Sequence, residues 1–302
     1  MQLSNIEDRN YRKLPSRARY TASSAYSNGI LESNLFSDRQ KLLNGKWKDI
    51  NSTAFDETIQ NLVGKMPPVA EDQHQLIPVA AFLHPFSYQM DTKAPLTYLY
   101  FSAANTGYYV WLNGKFLGSH DLADTPAEFD LSGIITEGEN LLEVLVTQWQ
   151  DRSDFQGQMG YTGKITFPEV YLLSRPEQHI WDYFITTRVI GSEANVSVHF
   201  SFHEEAIPAS VRLLDEFGQA AATTKLRNDV CNGVWSRYAT LSVHEPQLWG
   251  PEKPFFYTLV VETANEVLAE RVALRDLRVE DDCVYLNGRP VTFRNCRTKE
   301  LI

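Results

Sequence analysis

Apolar residues recur at every second position in run after run of this 302-residue chain. That spacing places them on one face of an extended backbone and leaves little room for anything but β-structure. In residues 195–201 (NVSVHFS), Val196, Val198 and Phe200 share a face, opposite Ser197, His199 and Ser201. In 141–148 (LLEVLVTQ), Leu142, Val144 and Val146 share a face opposite Glu143 and Thr147. Strand-like runs also occupy 97–102, 108–112, 169–173, 180–190, 209–215, 235–243 and 255–262. Asn113-Gly114 and Asn287-Gly288 each sit between two such runs, as a type I′ hairpin turn requires. Aromatic residues make up 12% of the chain, which suits strands. Helical patterning is weak, the strongest instance being SDRQKLLNG, residues 37–45. The fold class is all-β.

Many short strands separated by turns imply sandwiches. Arg175-Pro176 ends one strand set, and another begins at Ile180. The second set, about residues 180–280, has the strand number and length of an immunoglobulin-like sandwich. No internal repeat is visible. The basic cluster Arg9, Arg12, Lys13, Arg17 and Arg19 reads as a solvated arm that packs along its own domain.

Several function classes are set aside at this level. The net charge of −10 opposes binding to a phosphate backbone, so no nucleic-acid partner is expected. Cys231, Cys283 and Cys296 are few, odd in number and unpaired in spacing, which argues against a disulfide framework or structural zinc. The seven histidines (74, 84, 120, 179, 199, 203 and 244) lack metal-ligand spacing, so neither a metal nor a cofactor is expected. No apolar stretch reaches membrane length, and the N-terminus lacks the apolar core of a signal peptide. The cytoplasm is the expected compartment. Adjacent acids such as Glu204-Glu205 and Asp281-Asp282 are poorly placed for acid–base pairing, and the tryptophans read as core or edge packing.

A set of motifs in collinear order is more specific. They are KLLNGKWK (41–48), VWLNGKFLG (110–118), TPAEFDLSGIITEGENLLEVLVTQW (125–149), PEVYLLSRP (168–176), EPQLWGPEKPFFYTLVVE (245–262) and VYLNGRPVTFRN (284–295). Together they resemble glycoside hydrolase family 2 in its β-galactosidase branch, over about residues 9–302. The resemblance implies an arm (1–40), a jelly-roll, galactose-binding-like sandwich (41–176) and an immunoglobulin-like sandwich (177–280). It reads residues 281–302 as the truncated lead-in to a (β/α)₈ barrel. It implies a retaining glycosidase chemistry, in which one carboxyl protonates the leaving oxygen and another attacks the anomeric carbon. Such a barrel needs on the order of 250 residues, and nine follow Phe293. Both family glutamates are therefore expected outside this chain, which contributes no catalytic residue of its own.

The resemblance also places a sugar-facing loop after Trp149. Here three departures stand at sugar-facing positions: Met159 in place of an aspartate, Tyr161 of a tryptophan and Thr162 of an arginine. A thioether cannot accept hydroxyl hydrogen bonds as a carboxylate does. Ala81 or a neighbour replaces a family asparagine, and NCRTKE (295–300) keeps only Glu300 of the barrel-entrance motif. The loop still offers Asp151, Arg152, Asp154, Gln156, Gln158 and Tyr161, planar polar groups beside an aromatic ring, and these are the candidate carbohydrate-binding residues. Two readings follow. The chain is the non-catalytic N-terminal region of a β-galactosidase-like hydrolase, completed by the rest of a longer chain or by a barrel-containing subunit. The alternative is a stand-alone, degenerate carbohydrate- or protein-binding module. A galactoside or other carbohydrate is the expected ligand, and the resemblance implies a homo-oligomer.

Overall fold

The computed structural model describes residues 11–12, 22–23, 38–43, 47–51, 57–66, 76–102, 104, 107–120, 125–149, 169–226, 228–229, 234–235, 237–280 and 283–291. The chain forms two compact units, Met1–Pro15 with Asp38–Glu177 and Ser16–Ser37 with Gln178–Ile302. The N-terminal arm gives strand β1 (Tyr11–Arg12) to the first and β2 (Ala22–Ser23) to the second. It is thus divided between the units, where the sequence suggested packing along one.

The first unit continues with β3 (Gln40–Leu42), β4 (Lys48–Asn51), β5 (Leu76–Tyr88), β6 (Leu96–Phe101), β7 (Gly107–Leu112), β8 (Lys115–His120), β9 (Ala127–Asp130), β10 (Gly138–Trp149) and β11 (Val170–Arg175). They form two five-stranded antiparallel sheets, ordered β1-β9-β6-β11-β3 and β4-β5-β10-β7-β8. This is the expected jelly-roll sandwich. Phe82, Leu99, Phe101, Val110, Phe129, Leu142, Val144 and Leu172 meet in its core. Full burial of each such side chain contributes about 1.5–3 kcal/mol.

Within the run 37–45, read as weakly helical, the described residues form a turn at 38–39 followed by β3, whose residues pair with Tyr171–Leu173. A ladder partner overrides local propensity here. Among the described residues, the helix of this unit is α1 (Glu57–Gly64). Its Ile59 and Leu62, with Met66 just beyond, share one face and cover Ile50, Ala81, Tyr109, Trp111 and Leu145. Both faces of the β4-β5-β10-β7-β8 sheet are therefore buried in this region. That is why Glu143, on the polar side of the β10 alternation, is only 7% exposed, with Lys65 Nζ 3.9 Å away.

The second unit comprises β12 (Ile180–Ile190), β13 (Glu193–Phe202), β14 (Ser210–Leu214), β15 (Ala220–Lys225), β16 (Asn228–Asp229), β17 (Val234–Trp235), β18 (Tyr238–His244), β19 (Tyr257–Glu262), β20 (Val267–Val272), β21 (Leu277–Glu280), β22 (Cys283–Leu286) and β23 (Arg289–Val291). A β12-β13-β18 sheet faces a β15-β14-β19-β20-β2 sheet. Setting β2 aside, seven strands form an immunoglobulin-like sandwich. Val196, Val198 and Phe200 point into its core, as their alternation required, against Val211, Leu213, Leu259 and Val261. Strands β16 and β17 make a small ribbon, and β21-β22-β23 a separate meander.

Both Asn-Gly pairs form type I′ turns, with φ of 52° and 76° at Asn113 and Gly114 and of 51° and 75° at Asn287 and Gly288. Their side chains then act as clamps. Asn113 Oδ1 accepts from the Leu141 N–H (2.9 Å), and Asn113 Nδ2 donates to Asn140 Oδ1 (2.8 Å). Buried Asn140 also accepts from Thr136 N–H (3.0 Å) and Oγ1 (3.2 Å), and donates to the carbonyls of Thr136 (2.7 Å) and Gly138 (3.0 Å). Asn287 accepts from the Asp276 N–H (3.0 Å) and donates to the Trp249 carbonyl (2.9 Å), fixing the meander to the preceding segment.

Strands β1 and β2 lie at sheet edges, beside β9 and β20. Removing residues 1–24 uncovers both edges, and an uncovered edge templates pairing with another chain. The expected outcome is concentration-dependent self-association of the truncated chain, read by light scattering after gel filtration, with far-UV circular dichroism unchanged.

Candidate functional site

Residues Asp151, Arg152, Asp154, Gln156, Gln158 and Tyr161 lie outside the described residues, as do Met159, Thr162 and Glu300. Strand β10 ends at Trp149, paired with Leu76 at the start of β5, and the chain re-enters at Glu169 to form β11 of the opposite sheet. The segment between them thus joins the two sheets of the sandwich. Ala81 is fully buried beneath α1, and Ala80 and Phe82 belong to the inter-sheet core. These positions serve packing and present no polar group to a sugar.

Among the tryptophans, Trp111 is wholly buried under α1, and Arg275 lies over the Trp249 ring at 5.5 Å. Trp181 sits beside His179 and His203. These are packing roles. Glu204 and Glu205 are exposed in a turn, with Glu204 at φ 62°.

His84 is a buried histidine that pattern reading passed over as a packing group. Its ring stacks on Trp47 (4.8 Å between centroids) and on Phe86 (6.3 Å), and its Nδ1 has no hydrogen-bond partner among the described residues. Burial holds its pKa below the ordinary value near 6.5. The folded state then binds this proton less tightly than the unfolded chain. Stability is full above about pH 6.5, declines as pH falls toward the folded-state pKa, and levels off below it. His84→Phe is expected to remove this part of the slope, seen as a smaller difference in Tm between pH 7.5 and pH 5.

A concavity of about 560 Å³ lies on the outer face of the β12-β13-β18 sheet, lined by Thr186, Thr187, Arg188, Asn195, Ser197 and Thr240. Strand register sets out this outer face in cross-strand rows: Phe184, His199 and Tyr238 beside the concavity; then Thr186, Ser197 and Thr240; then Arg188, Asn195 and Ser242. Ser197 Oγ and Thr240 Oγ1 are 3.2 Å apart, Ser242 Oγ donates to Asn195 Oδ1 at 2.7 Å, and the His199 and Tyr238 rings stack at 6.0 Å. The alternation of β13 set Ser197 and His199 on the side opposite the core, but nothing in the sequence marked a concave surface. Among the described residues, no group of three or more His, Cys, Asp or Glu is arranged to hold a metal.

A jelly-roll sandwich followed by an immunoglobulin-like one defines a two-sandwich scaffold of the kind attached to glycosidases. The sequence matches the family descriptions "Glycosyl hydrolases family 2, sugar binding domain" over residues 25–176 and "Glycosyl hydrolases family 2" over residues 178–275, and the chain belongs to this family. Its relatives include a β-galactosidase of Photobacterium profundum, 32% identical over 216 residues (66% of this chain, 21% of the relative). Another is a β-galactosidase of Priestia megaterium, 27% identical over 250 residues (78% and 24%). Among solved structures, the Ruminococcus gnavus β-glucuronidase shares the fold with a TM-score of 0.64 and 20% identity, covering 84% of this chain and 46% of that one. The chain spans about a quarter or less of the curated relatives it matches.

Proposed function

We propose that this chain is the non-catalytic N-terminal region of a β-galactosidase-like glycoside hydrolase, hydrolysing O-glycosidic bonds only in company with a catalytic barrel. The barrel would bring the two carboxyl groups, ~5–5.5 Å apart in a retaining enzyme. The sandwiches would shape and brace the sugar site.

The observation that carries this reading is the β21-β22-β23 meander. Its cross-strand pairs place Leu277, Val279, Val284, Leu286 and Val291 on one face, with Arg289 beside them opposite Leu286. Leu277 is 56% and Val279 73% exposed. A mostly apolar sheet face with exposed Leu277 and Val279 at its edge strand is the kind of surface a partner covers. The meander falls where the family resemblance puts the lead-in to the barrel, so the barrel is the partner we assign to it, in the same chain or as a separate subunit.

The segment joining β10 to β11 is the part we assign to sugar contact, through Asp151, Arg152, Asp154, Gln156, Gln158 and Tyr161. The support is chemical: these are planar hydrogen-bonding groups with an aromatic neighbour. The cytoplasm is the compartment we assign, since Cys283 is a free and exposed thiol, which suits a reducing environment. No helix among the described residues is long and apolar enough to cross a membrane.

The test is an assay of the purified chain on a nitrophenyl β-galactoside, paired with recovery of its partner from source cells. The chain alone is expected to release nitrophenol no faster than buffer. The wild-type chain is expected to retain a barrel-bearing polypeptide that the Leu277→Asp/Val279→Asp double variant loses. Turnover that follows the isolated chain through purification contradicts the proposal.

A further inference from the structure

The concave outer face of the β12-β13-β18 sheet carries chemistry that the barrel-docking meander does not use. We infer that it is a saccharide-binding site of the second unit, selective for chains of acidic pyranosides.

Three features of this face, in and beside the concavity, support this inference. The row Phe184, His199 and Tyr238 provides aromatic faces at one end, with Phe184 and Tyr238 both exposed. Pyranose rings stack on such faces through their C–H groups while their hydroxyls remain free to bond. The next row, Thr186, Ser197 and Thr240, and the Asn195–Ser242 pair beyond it supply short, pre-arranged hydroxyl and amide groups. These groups donate and accept at close spacing, as vicinal hydroxyls require. Arg188 closes the far end and makes no ion pair among the described residues. Its planar fork matches a carboxylate bidentately, which a neutral sugar cannot exploit. Ile190, Glu193 and His244 form the row beyond Arg188, and the Glu193 carboxylate keeps an acidic ligand to the side of Arg188 that leads back to Phe184.

The dimensions agree. Phe184 and Arg188 are four residues apart on one strand, about 13–14 Å at strand rise. That is longer than one pyranose ring, so the face fits a chain rather than a monosaccharide. A protein partner is a poorer match, because the middle of this surface is polar where protein interfaces place their apolar core.

The experiment is calorimetry of the full 302-residue chain with tetragalacturonate and, in parallel, neutral galactotetraose, at low and at high salt. Tetragalacturonate is expected to bind the more tightly, and to lose that advantage at high salt. Arg188→Ala is expected to weaken tetragalacturonate about tenfold while leaving galactotetraose unchanged, and Arg188→Lys to restore part of the loss. Asn195→Ala and Tyr238→Ala should weaken both sugars. All of these side chains face outward from the sheet, so circular dichroism should show each variant folded. Binding of neither sugar, or binding unaltered by the substitutions, overturns the inference. Equal affinity for the two sugars overturns the acidic selectivity. None of these outcomes depends on whether the chain requires a barrel for hydrolysis, which the nitrophenyl galactoside assay reads separately.

Discussion

Asn140→Ala is expected to destabilise the first unit by about 3–4 kcal/mol, from the summed loss of several buried hydrogen bonds. Asn140 is 3% exposed, and its amide makes five hydrogen bonds. Each is worth only about 1 kcal/mol net, but truncation also leaves orphaned partners at an additional cost. Those partners are the Thr136 N–H and carbonyl, the Gly138 carbonyl and the Asn113 amide group. The loss would loosen the turn before β10 from the β7–β8 hairpin, since Asn113 bonds both Asn140 and Leu141. Urea unfolding followed by tryptophan fluorescence measures the effect. Asn140→Asp keeps the acceptor but not the donor, and should fall between wild type and alanine. A loss under about 1 kcal/mol for alanine, the worth of a single bond, would mean that the network is not cooperative.

The second large effect belongs to Glu266, which is 1% exposed in the turn between β19 and β20. Thr263 holds that turn: its Oγ1 accepts from the Asn265 and Glu266 N–H groups, and its own N–H donates to the Glu266 carbonyl at 2.9 Å. So oriented, Glu266 Oε1 accepts from the Ile180 N–H at 2.7 Å. Ile180 opens β12, in the sheet opposite β20. One carboxyl thus ties the two sheets of the second sandwich together. Glu266→Ala removes the acceptor of the Ile180 N–H and opens a cavity, a combined cost of about 3 kcal/mol. Glu266→Gln keeps an acceptor and the volume, and should lose much less. Equal losses for the two variants would mean that charge, and not the hydrogen bond to Ile180, sets the effect.

These clamps show which parts of the fold could be read from residue order. Alternation in β13 and β10 assigned Val196, Val198, Phe200, Leu142, Val144 and Val146 to buried faces, and they are buried. Asn113-Gly114 and Asn287-Gly288 marked hairpins, because few residue pairs accept two positive φ angles in succession. Helix α1 escaped notice although Ile59, Leu62 and Met66 have helical spacing. Eight residues give only two turns of pattern, too short to stand out from a mostly polar stretch such as 37–45. That run became β3 through pairing with β11, which lies more than a hundred residues away. Long-range pairings of this sort leave no local trace. The same holds for Glu143, buried because a helix covers its face, and for Glu266, whose acceptor role depends on the opposite sheet.

The candidate site was legible to a different extent. Motif order carried the family, since each motif encodes a hairpin or a buried strand. Fold motifs say little about sugar contact, however, so the residues from Asp151 to Tyr161 rest on their chemistry alone. Of the hydroxyl and aromatic rows on β12, β13 and β18, only Ser197 and His199 stood out in sequence, as the side of β13 opposite its apolar residues. Their concavity is a product of three strands in register, which no single segment reveals.

The central claim, that this chain works only with a catalytic barrel, is tested most directly by the native mass of the species carrying it in its source cell. An antibody raised against the 302-residue chain would capture that species without denaturation. The expected result is a particle that includes a barrel of on the order of 250 residues, either continuous with this chain or bound to it. A bare 34.5 kDa polypeptide, with the Leu277 and Val279 face uncovered, would contradict the claim.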